Sequence, residues 1–459
     1  MRPLVATVAS IAASALLVGC PSTAPRDAGE DTRAHAPEVV DADDRDATIP
    51  TDAELDVASR RDVQRPGPYP LAEELPERSE LPSLFESFDR SRTASTRGDW
   101  EGWRRDELKD LFRYYVYGYE PAAMAVSARS TQTIADIAPS VGEYLEFELS
   151  FVGIDTRIHV SLYRPRGIAR PPVFVALNKC GNQEVIADPR VRATTAWIDA
   201  PNCGGTPEAG RGVRSSHWPV STIASRGYAF ATFHESDLDP DDPADTTFSD
   251  GVHREALDPR RDPRVRWGRI AAWAWGISRV VDWLQTSNLV DPQQIAVVGH
   301  SRRGKASLLA GALDQRIAMV FAHQSGTAGS ALARSPVGES IAAINLFFPS
   351  WFDAVFKGFD RRELRLPIDQ HQLIALVAPR VALFTDGDAD EWADPPGSRA
   401  AVEAARPAWE LYEDAGVSDG GAEAGVRSRL AWQSRPGAHS LGAEDWALFL
   451  AFADQHVRR

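Results

Sequence analysis

The stretch Gln294-Ile-Ala-Val-Val-Gly-His-Ser301-Arg-Arg-Gly304-Lys305 decides the fold of this chain. A short apolar run leads directly into Gly299-His300-Ser301, and a helical pattern begins immediately afterwards. A strand, a sharp turn and a helix in this order expose a serine hydroxyl at the N-terminus of the helix. The usual G-x-S-x-G spacing is broken, because Arg303 occupies the position of the second glycine. An ordinary serine N-cap is the alternative that this string leaves open.

Short apolar runs alternate with helical periodicity on both sides of this stretch, which is typical of strands covered on both faces. The predicted buried strands are residues 173–177, 228–232, 295–298, 319–322 and 381–384, and residues 144–151 and 157–163 alternate like an antiparallel pair. The predicted helices are residues 267–284, 304–313, 370–377, 399–412 and 443–457. The pattern predicts an α/β fold with a mostly parallel sheet between two helical layers, formed by one domain over residues 85–459. Residues 237–263 and 326–366 are predicted to be long loop insertions.

Composition excludes several classes of protein. The chain has 459 residues, 43% of them hydrophobic and 9% aromatic, which excludes wholesale disorder. Its formal net charge of −15 argues against nucleic-acid binding, which needs a basic surface. We predict no metal or organic cofactor.

The N-terminus is predicted to be processed. Residues 1–19 combine a charged start with a short apolar run that ends in Leu17-Val18-Gly19, which is typical of a secretory signal. Cys20 directly afterwards resembles a bacterial lipobox, so we expect a lipidated mature N-terminus. An ordinary signal peptide with an incidental cysteine is the alternative. Residues 20–84 are predicted to be a disordered tether. We therefore expect an exported, lipid-anchored or secreted monomer that touches a membrane only through its N-terminal lipid.

Export determines how the remaining cysteines are interpreted. An oxidising compartment permits a disulfide between Cys180 and Cys203, although two buried free thiols would look the same in sequence.

A serine nucleophile needs a histidine base and an acid that orients it. His439 follows a strand-like stretch and precedes the last helix, which is the expected place for the base. The acidic run of residues 386–394 follows a late predicted strand and supplies a candidate acid, but the residues alone do not show which one. This run begins like a calcium-binding loop, but Glu391 stands where such a loop needs glycine. The second acidic run, residues 237–245, is interpreted as a surface loop with a minor chance of holding a metal.

Seven separated motifs resemble the bacterial glucuronoyl esterases of carbohydrate esterase family 15, in the order of that family. They are Val173-Phe-Val-Ala-Leu-Asn-Lys-Cys-Gly-Asn182, His217-Trp-Pro-Val220, Trp273-Ala-Trp-Gly-Ile-Ser278, Gly299-His-Ser-Arg-Arg-Gly-Lys305, Phe347-Phe-Pro-Ser-Trp-Phe352, residues 366–380 and Asp390-Glu-Trp-Ala-Asp-Pro395. The resemblance extends from about residue 100 to the C-terminus. It implies an α/β-hydrolase that cleaves 4-O-methyl-glucuronic acid esters in lignin–carbohydrate complexes.

The resemblance also implies roles for individual residues. Ser301 matches the nucleophile of the family and His439 its base, and Arg302 matches an arginine that helps to hold the oxyanion. The residues that match the family's substrate-binding positions are Lys305, Glu339 and Trp392, of which the first two contact the sugar and the third lines the uronate pocket.

The chain departs from the family pattern at two positions. Gln324 stands where many members carry the glutamate of the triad, and a neutral amide would not stabilise an imidazolium. Some bacterial members carry the acid in the loop that matches Asp390-Glu-Trp-Ala-Asp-Pro395, so the resemblance implies Asp390 as the acid, with Asp388 in reserve. Ser350 replaces the histidine of a Pro-His-Trp-Phe motif. Two alternative functions stay open at this point: an acetyl xylan esterase with the same triad, and a surface lipoprotein that binds polysaccharide without turnover.

Overall fold

The computed structural model describes residues 67–248, 250–412 and 428–457. These residues contain a mixed nine-stranded sheet. Its strands are β1 (Val126–Ala138), β2 (Val141–Phe151), β3 (Arg157–Pro165), β4 (Val173–Asn178), β5 (Ala229–His234), β6 (Ile295–His300), β7 (Met319–His323), β8 (Val381–Gly387) and β9 (Leu430–Arg435). Across the sheet their order is β1-β2-β3-β5-β4-β6-β7-β8-β9. The pairs from β1 to β5 are antiparallel, and those from β5 to β9 are parallel. The predicted mostly parallel sheet is confirmed.

Helices connect most of these strands. The α-helices are α1 (Arg97–Asp99), α2 (Arg105–Phe112), α3 (Val220–Ser225), α4 (Gly251–Glu255), α5 (Arg269–Thr286), α6 (Arg302–Leu313), α7 (Ile341–Phe347), α8 (Gln370–Ala375), α9 (Pro395–Ala405), α10 (Pro407–Glu410) and α11 (Ala443–Asp454). Two π-helical turns, Trp100–Arg104 and Arg113–Tyr117, flank α2. Short 3₁₀ turns are Ala72–Glu74, Asn182–Glu184, Ala200–Asn202, Glu235–Asp237, Pro263–Val265, Phe356–Phe359, Glu363–Arg365 and Glu391–Ala393.

Both faces of the central strands are buried, as their continuous apolar runs predict. Successive side chains of a strand point to opposite faces. On β4, Val175 belongs to the apolar cluster that contains Trp273 of α5, whereas Phe174 belongs to the cluster that contains Trp446 of α11. The ring centroids of Phe174 and Trp446 are 5.4 Å apart. The sheet is therefore the middle layer of three, as the fold of an α/β-hydrolase requires.

The structure differs from the sequence prediction in three respects. Strand β1 was not predicted, because this edge strand is largely exposed and carries few apolar residues. The predicted helix 399–412 is two helices, and α10 begins at Pro407, which cannot continue the hydrogen-bonding of a preceding helix. The predicted loop insertions contain the short helices α4 and α7.

The predicted signal segment and the lipidation site Cys20 lie outside the described residues. Part of the predicted tether lies inside them. Ala72, Leu75 and Leu84 are buried in the larger apolar cluster, so the folded domain begins before the predicted boundary at residue 85. Among the described residues, no helix is long and apolar enough to cross a membrane.

Candidate active site

Ser301 lies at the junction of β6 and α6, with φ at 60° and ψ at −131°. Residues other than glycine rarely adopt this φ, so the turn holds the serine in a strained conformation. In the described part of the chain its side chain makes no capping hydrogen bond to α6. Ser301 instead lines a cavity over the carboxyl ends of the parallel strands, which is the candidate active site. This geometry favours the exposed turn over the ordinary N-cap that the sequence left open.

Close packing explains the shifted glycine spacing around Ser301. A Cβ atom on Gly299 would lie 2.1 Å from the carbonyl oxygen of Arg303, and one on Gly304 would lie 2.9 Å from Cβ of Ser325. The Arg303 side chain donates to Glu235 at 2.5 Å. The second glycine is therefore required at 304, where α6 contacts the segment after β7, and not at 303.

His439 is paired with Asp390. The loop between β9 and α11 carries His439, whose Nδ1 lies 2.6 Å from Oδ2 of Asp390. The side chain of Asp390 is 3% exposed and that of His439 is 15% exposed, so the pair is shielded from water on the acid side. Both residues line the same cavity as Ser301. A carboxylate at this position would hold the imidazole in one tautomer and orientation.

The other acids of the 386–394 run have different surroundings. Asp386 is fully buried and accepts a hydrogen bond from Trp432 Nε1 at 2.7 Å. Asp388 is exposed and accepts one from the backbone N–H of Gly437 at 2.9 Å. Asp394 caps α9 by accepting from the N–H of Gly397 at 2.9 Å. Among the described contacts, Asp390 is the member of the run that meets His439.

Gln324, at the end of β7, holds the loop that carries His439. Its Nε2 donates to the carbonyl oxygen of Ala438 at 3.0 Å, and its Oε1 accepts from the N–H of Ser440 at 2.9 Å. Oε1 also accepts from Nε2 of His300 at 3.0 Å. Burial holds the pKa of His300 well below its ordinary value, with His439 and His323 adding to the effect. The amide thus contacts the backbone on both sides of His439.

Arg302 is held over two aromatic rings. Its guanidinium forms an ion pair with Asp241, and its central carbon lies 4.6 Å from the ring centre of Trp351 and 4.8 Å from that of Phe348. These two rings stack on each other with centroids 3.8 Å apart. A cation fixed beside the serine can stabilise negative charge that develops there.

Lys305 and Glu339 form a buried ion pair. Nζ of Lys305 lies 2.8 Å from Oε2 of Glu339 and donates to the carbonyl oxygen of Thr327 at 2.6 Å. Burial lowers the pKa of Lys305, and Glu339 opposes that shift. The backbone N–H of Glu339 donates to the carbonyl oxygen of Trp392 at 3.0 Å, which links the pair to the acidic loop. Lys305, Glu339 and Trp392 all line the cavity.

The cavity has a volume of about 680 Å³ and lies over the carboxyl ends of the parallel strands. Besides the predicted residues, the cavity is lined by residues to which the sequence assigned no role: Lys179, Asn202, Arg214, His217, His300, Phe348 and Trp351. A disulfide joins Cys180 to Cys203, with Cα atoms 5.4 Å apart, and so ties two segments of this wall together. Lys179, His217 and Trp351 belong to motifs that resemble the family, but no local signal in the sequence showed that these motifs would meet.

The acidic run 237–245 is not the surface loop that the sequence predicted. Asp239 is fully buried and pairs with Arg269 at 2.7 Å and with His253. Asp241 pairs with Arg302 in the cavity wall. The prediction was wrong because bases from distant segments neutralise these acids. Among the described residues, no group of three or more His, Cys, Asp or Glu side chains could hold a metal ion.

The cavity therefore brings together a strained serine, a histidine paired with a carboxylate, and fixed cations. Such an arrangement suits attack by a serine on a carbonyl carbon.

Comparisons with known proteins agree with this chemistry. The family model of fungal glucuronyl esterases matches residues 262–413. The chain is 33% identical to the carbohydrate esterase MZ0003 of an unknown prokaryotic organism, over 82% of this chain and 89% of that protein. It is 36% identical to the 4-O-methyl-glucuronoyl methylesterase of Neurospora crassa, over 33% of this chain and 40% of that protein. A promiscuous esterase of carbohydrate esterase family 15, from a marine bacterial metagenome, has a similar structure with a TM-score of 0.76 and 32% identity, over 84% of this chain and 99% of that one.

Proposed function

Because the chain belongs to the glucuronoyl esterases of carbohydrate esterase family 15, we propose that it hydrolyses esters of 4-O-methyl-glucuronic acid through Ser301, His439 and Asp390. As a member of this family it is a carboxylic ester hydrolase. The observation that carries the proposal is the 2.6 Å contact between His439 and Asp390 on the wall of the cavity that Ser301 lines.

Ser301 Oγ attacks the C6 carbonyl carbon of the glucuronate while Nε2 of His439 takes its proton. Asp390 accepts a hydrogen bond from Nδ1 of His439 and stabilises the imidazolium that forms. The tetrahedral intermediate collapses as His439 returns the proton to the leaving alcohol, which leaves an acyl-enzyme. Water, deprotonated by His439, then attacks the acyl carbon and releases the uronic acid and Ser301.

Two features of the chain support stabilisation of the oxyanion. The N-terminus of α6 follows Ser301 directly, and helix N-termini favour negative charge. The Arg302 guanidinium lies against the same cavity and supplies a charge-assisted donor.

The acyl side of the substrate is assigned to Lys305, Glu339 and Trp392. A buried ammonium and a carboxylate offer a donor and an acceptor for sugar hydroxyls, and Trp392 offers an apolar face. The natural substrate that we propose is an ester between glucuronoxylan and lignin. The name of the Neurospora crassa relative, a 4-O-methyl-glucuronoyl methylesterase, supports the uronate part of this assignment.

We place the enzyme outside the cytoplasm, as a monomer anchored by a lipid on Cys20. The signal-like residues 1–19 and the Cys180–Cys203 disulfide support export.

The test compares hydrolysis of benzyl glucuronate with that of acetylated xylan. We expect wild type to prefer the glucuronate, Ser301→Ala to abolish turnover, and Asp390→Asn to lower kcat by roughly 10⁴-fold, as loss of the triad carboxylate does elsewhere. Asp388→Asn is the matched control and is expected to keep wild-type activity, because Asp388 is exposed and the asparagine oxygen can still accept from the N–H of Gly437.

Each other outcome points to a different conclusion. Turnover of acetyl esters alone would identify an acetyl xylan esterase. A folded wild type that hydrolyses neither ester would favour the polysaccharide-binding lipoprotein. Unchanged kcat in Asp390→Asn would remove Asp390 from the triad.

A further inference from the structure

The segment after β5 carries three acids at every second position, and each meets a base from a different part of the chain. Asp237 pairs with Nδ1 of His159 on β3 at 3.2 Å and also accepts from the backbone N–H of that residue at 2.8 Å. Asp239 pairs with Arg269 at the start of α5 at 2.7 Å. The third acid, Asp241, pairs with Arg302, which lines the active-site cavity.

Asp241 binds two residues of the cavity wall, one with each carboxylate oxygen. Oδ2 accepts from Nη1 of Arg302, and Oδ1 accepts from Nε1 of Trp351 at 2.9 Å. The side chain of Asp241 is 9% exposed and that of Arg302 is 18% exposed, so water competes weakly for the pair.

The same carboxylate orients the aromatic surface under the guanidinium. Trp351 stacks on Phe348 with an interplanar angle of 5°, and Arg302 lies over both rings. Asp241 therefore fixes the cation directly and also fixes the ring that supports it. In the described part of the chain, Nη1 is the guanidinium nitrogen bound to protein, which leaves other N–H donors for a reacting oxygen.

We infer that Asp241 is a positioning residue for the oxyanion, acting through Arg302. This inference rests on the proposed function. A preorganised donor stabilises a transition state without reorganising at the moment of reaction. An unpaired arginine with several free rotamers would lose part of that advantage. The competing model predicts the opposite effect. If Asp241 mainly cancelled the charge of Arg302, removal of the Asp241 carboxylate would raise the rate.

The experiment is a double-mutant cycle on hydrolysis of benzyl glucuronate. Asp241→Asn keeps the shape of the side chain but replaces one acceptor by a donor, and we expect kcat to fall 10- to 100-fold with KM within about threefold. In an Arg302→Ala background the same substitution is expected to change kcat less than twofold, because the residue through which it acts is gone. Asp242→Asn is the matched control, since the Asp242 side chain accepts from the N–H of Ala244 and does not contact Arg302 in the described structure.

The outcomes separate the inference from the proposed function. If the two losses in kcat multiply in the double variant, or if Asp241→Asn is faster than wild type, the positioning role is overturned and the proposed esterase function stands. A wild type without activity on this ester would overturn both. Far-UV circular dichroism and melting of each variant show whether the fold is kept, and Asp241→Glu, which retains the charge, is expected to recover part of the rate.

Discussion

Gln324 makes the most specific prediction at the scale of single residues. Its Nε2 donates to Ala438 and its Oε1 accepts from Ser440, so the site needs a donor and an acceptor at once. A carboxylate cannot donate to a carbonyl oxygen. We expect Gln324→Glu to lower kcat/KM about tenfold or more, because the loop holding His439 loosens and a buried charge is added.

The control for this prediction tests whether position 324 can act as the triad acid. In an Asp390→Asn background, Gln324→Glu is expected to give no recovery of kcat, since Gln324 contacts the backbone beside His439 and the ring of His300. Recovery of kcat in that double variant would show that a glutamate at 324 orients His439.

Local sequence was enough to select Ser301 and His439 and to place an acid within residues 386–394, because each follows a recognisable strand; the choice of Asp390 needed the family resemblance. Local sequence was not enough for Asp241. Its partner Arg302 lies 61 positions away, and adjacent acids in a segment without helical or strand periodicity look solvated until their bases are known. Contacts between residues so far apart in sequence depend on the topology of the fold, which cannot be inferred from the residues around Asp241 alone.

At the scale of elements, Asp386 ties β8 to β9 and makes stability depend on pH. Burial, with smaller contributions from Asp390 and Asp394, raises the pKa of this acid from 3.8 to about 7, while the Trp432 N–H opposes the shift. Between these values the folded chain holds a proton that the unfolded chain has lost. The free energy of unfolding therefore falls as pH rises from about 4 to about 7, by an amount on the order of 4 kcal/mol, and then levels off.

The variant Asp386→Asn removes this titration and keeps an acceptor for Trp432. We expect the variant to gain stability relative to wild type as pH rises from 5 to 8, measured by urea unfolding at each pH. Asp388→Asn, an exposed acid two positions later, is the control and is expected to follow wild type. A stability difference between Asp386→Asn and wild type that is the same at both pH values would contradict the prediction.

The elements also show where sequence patterns succeed. Strands β4 to β8 are short apolar runs buried on both faces, so their pattern is strong. The edge strand β1 has one partner strand and an exposed outer side, and its polar sequence carries no comparable signal.

At the scale of the whole molecule, the cavity is assembled from segments that follow separate strands, and the Cys180–Cys203 disulfide fastens one of its walls. The bond closes a loop of 23 positions, and both cysteines are buried. In the chain-entropy account, a cross-link over a loop of this length stabilises the folded state by about 3 kcal/mol. Lys179 and Asn202, each next to one of the cysteines, line the cavity, so the same bond restrains the substrate site.

We expect the double variant Cys180→Ser/Cys203→Ser to lower the melting temperature by several degrees. We also expect it to raise KM for benzyl glucuronate more than it lowers kcat, because the cavity wall beside the cysteines moves while Ser301 and His439 lie on other elements. Reductant should shift wild type towards the same melting temperature and leave the double variant unchanged, which separates the bond from the two substitutions. Equal melting of wild type with and without reductant, under conditions where thiol titration detects both cysteines, would show that the disulfide does not stabilise the fold.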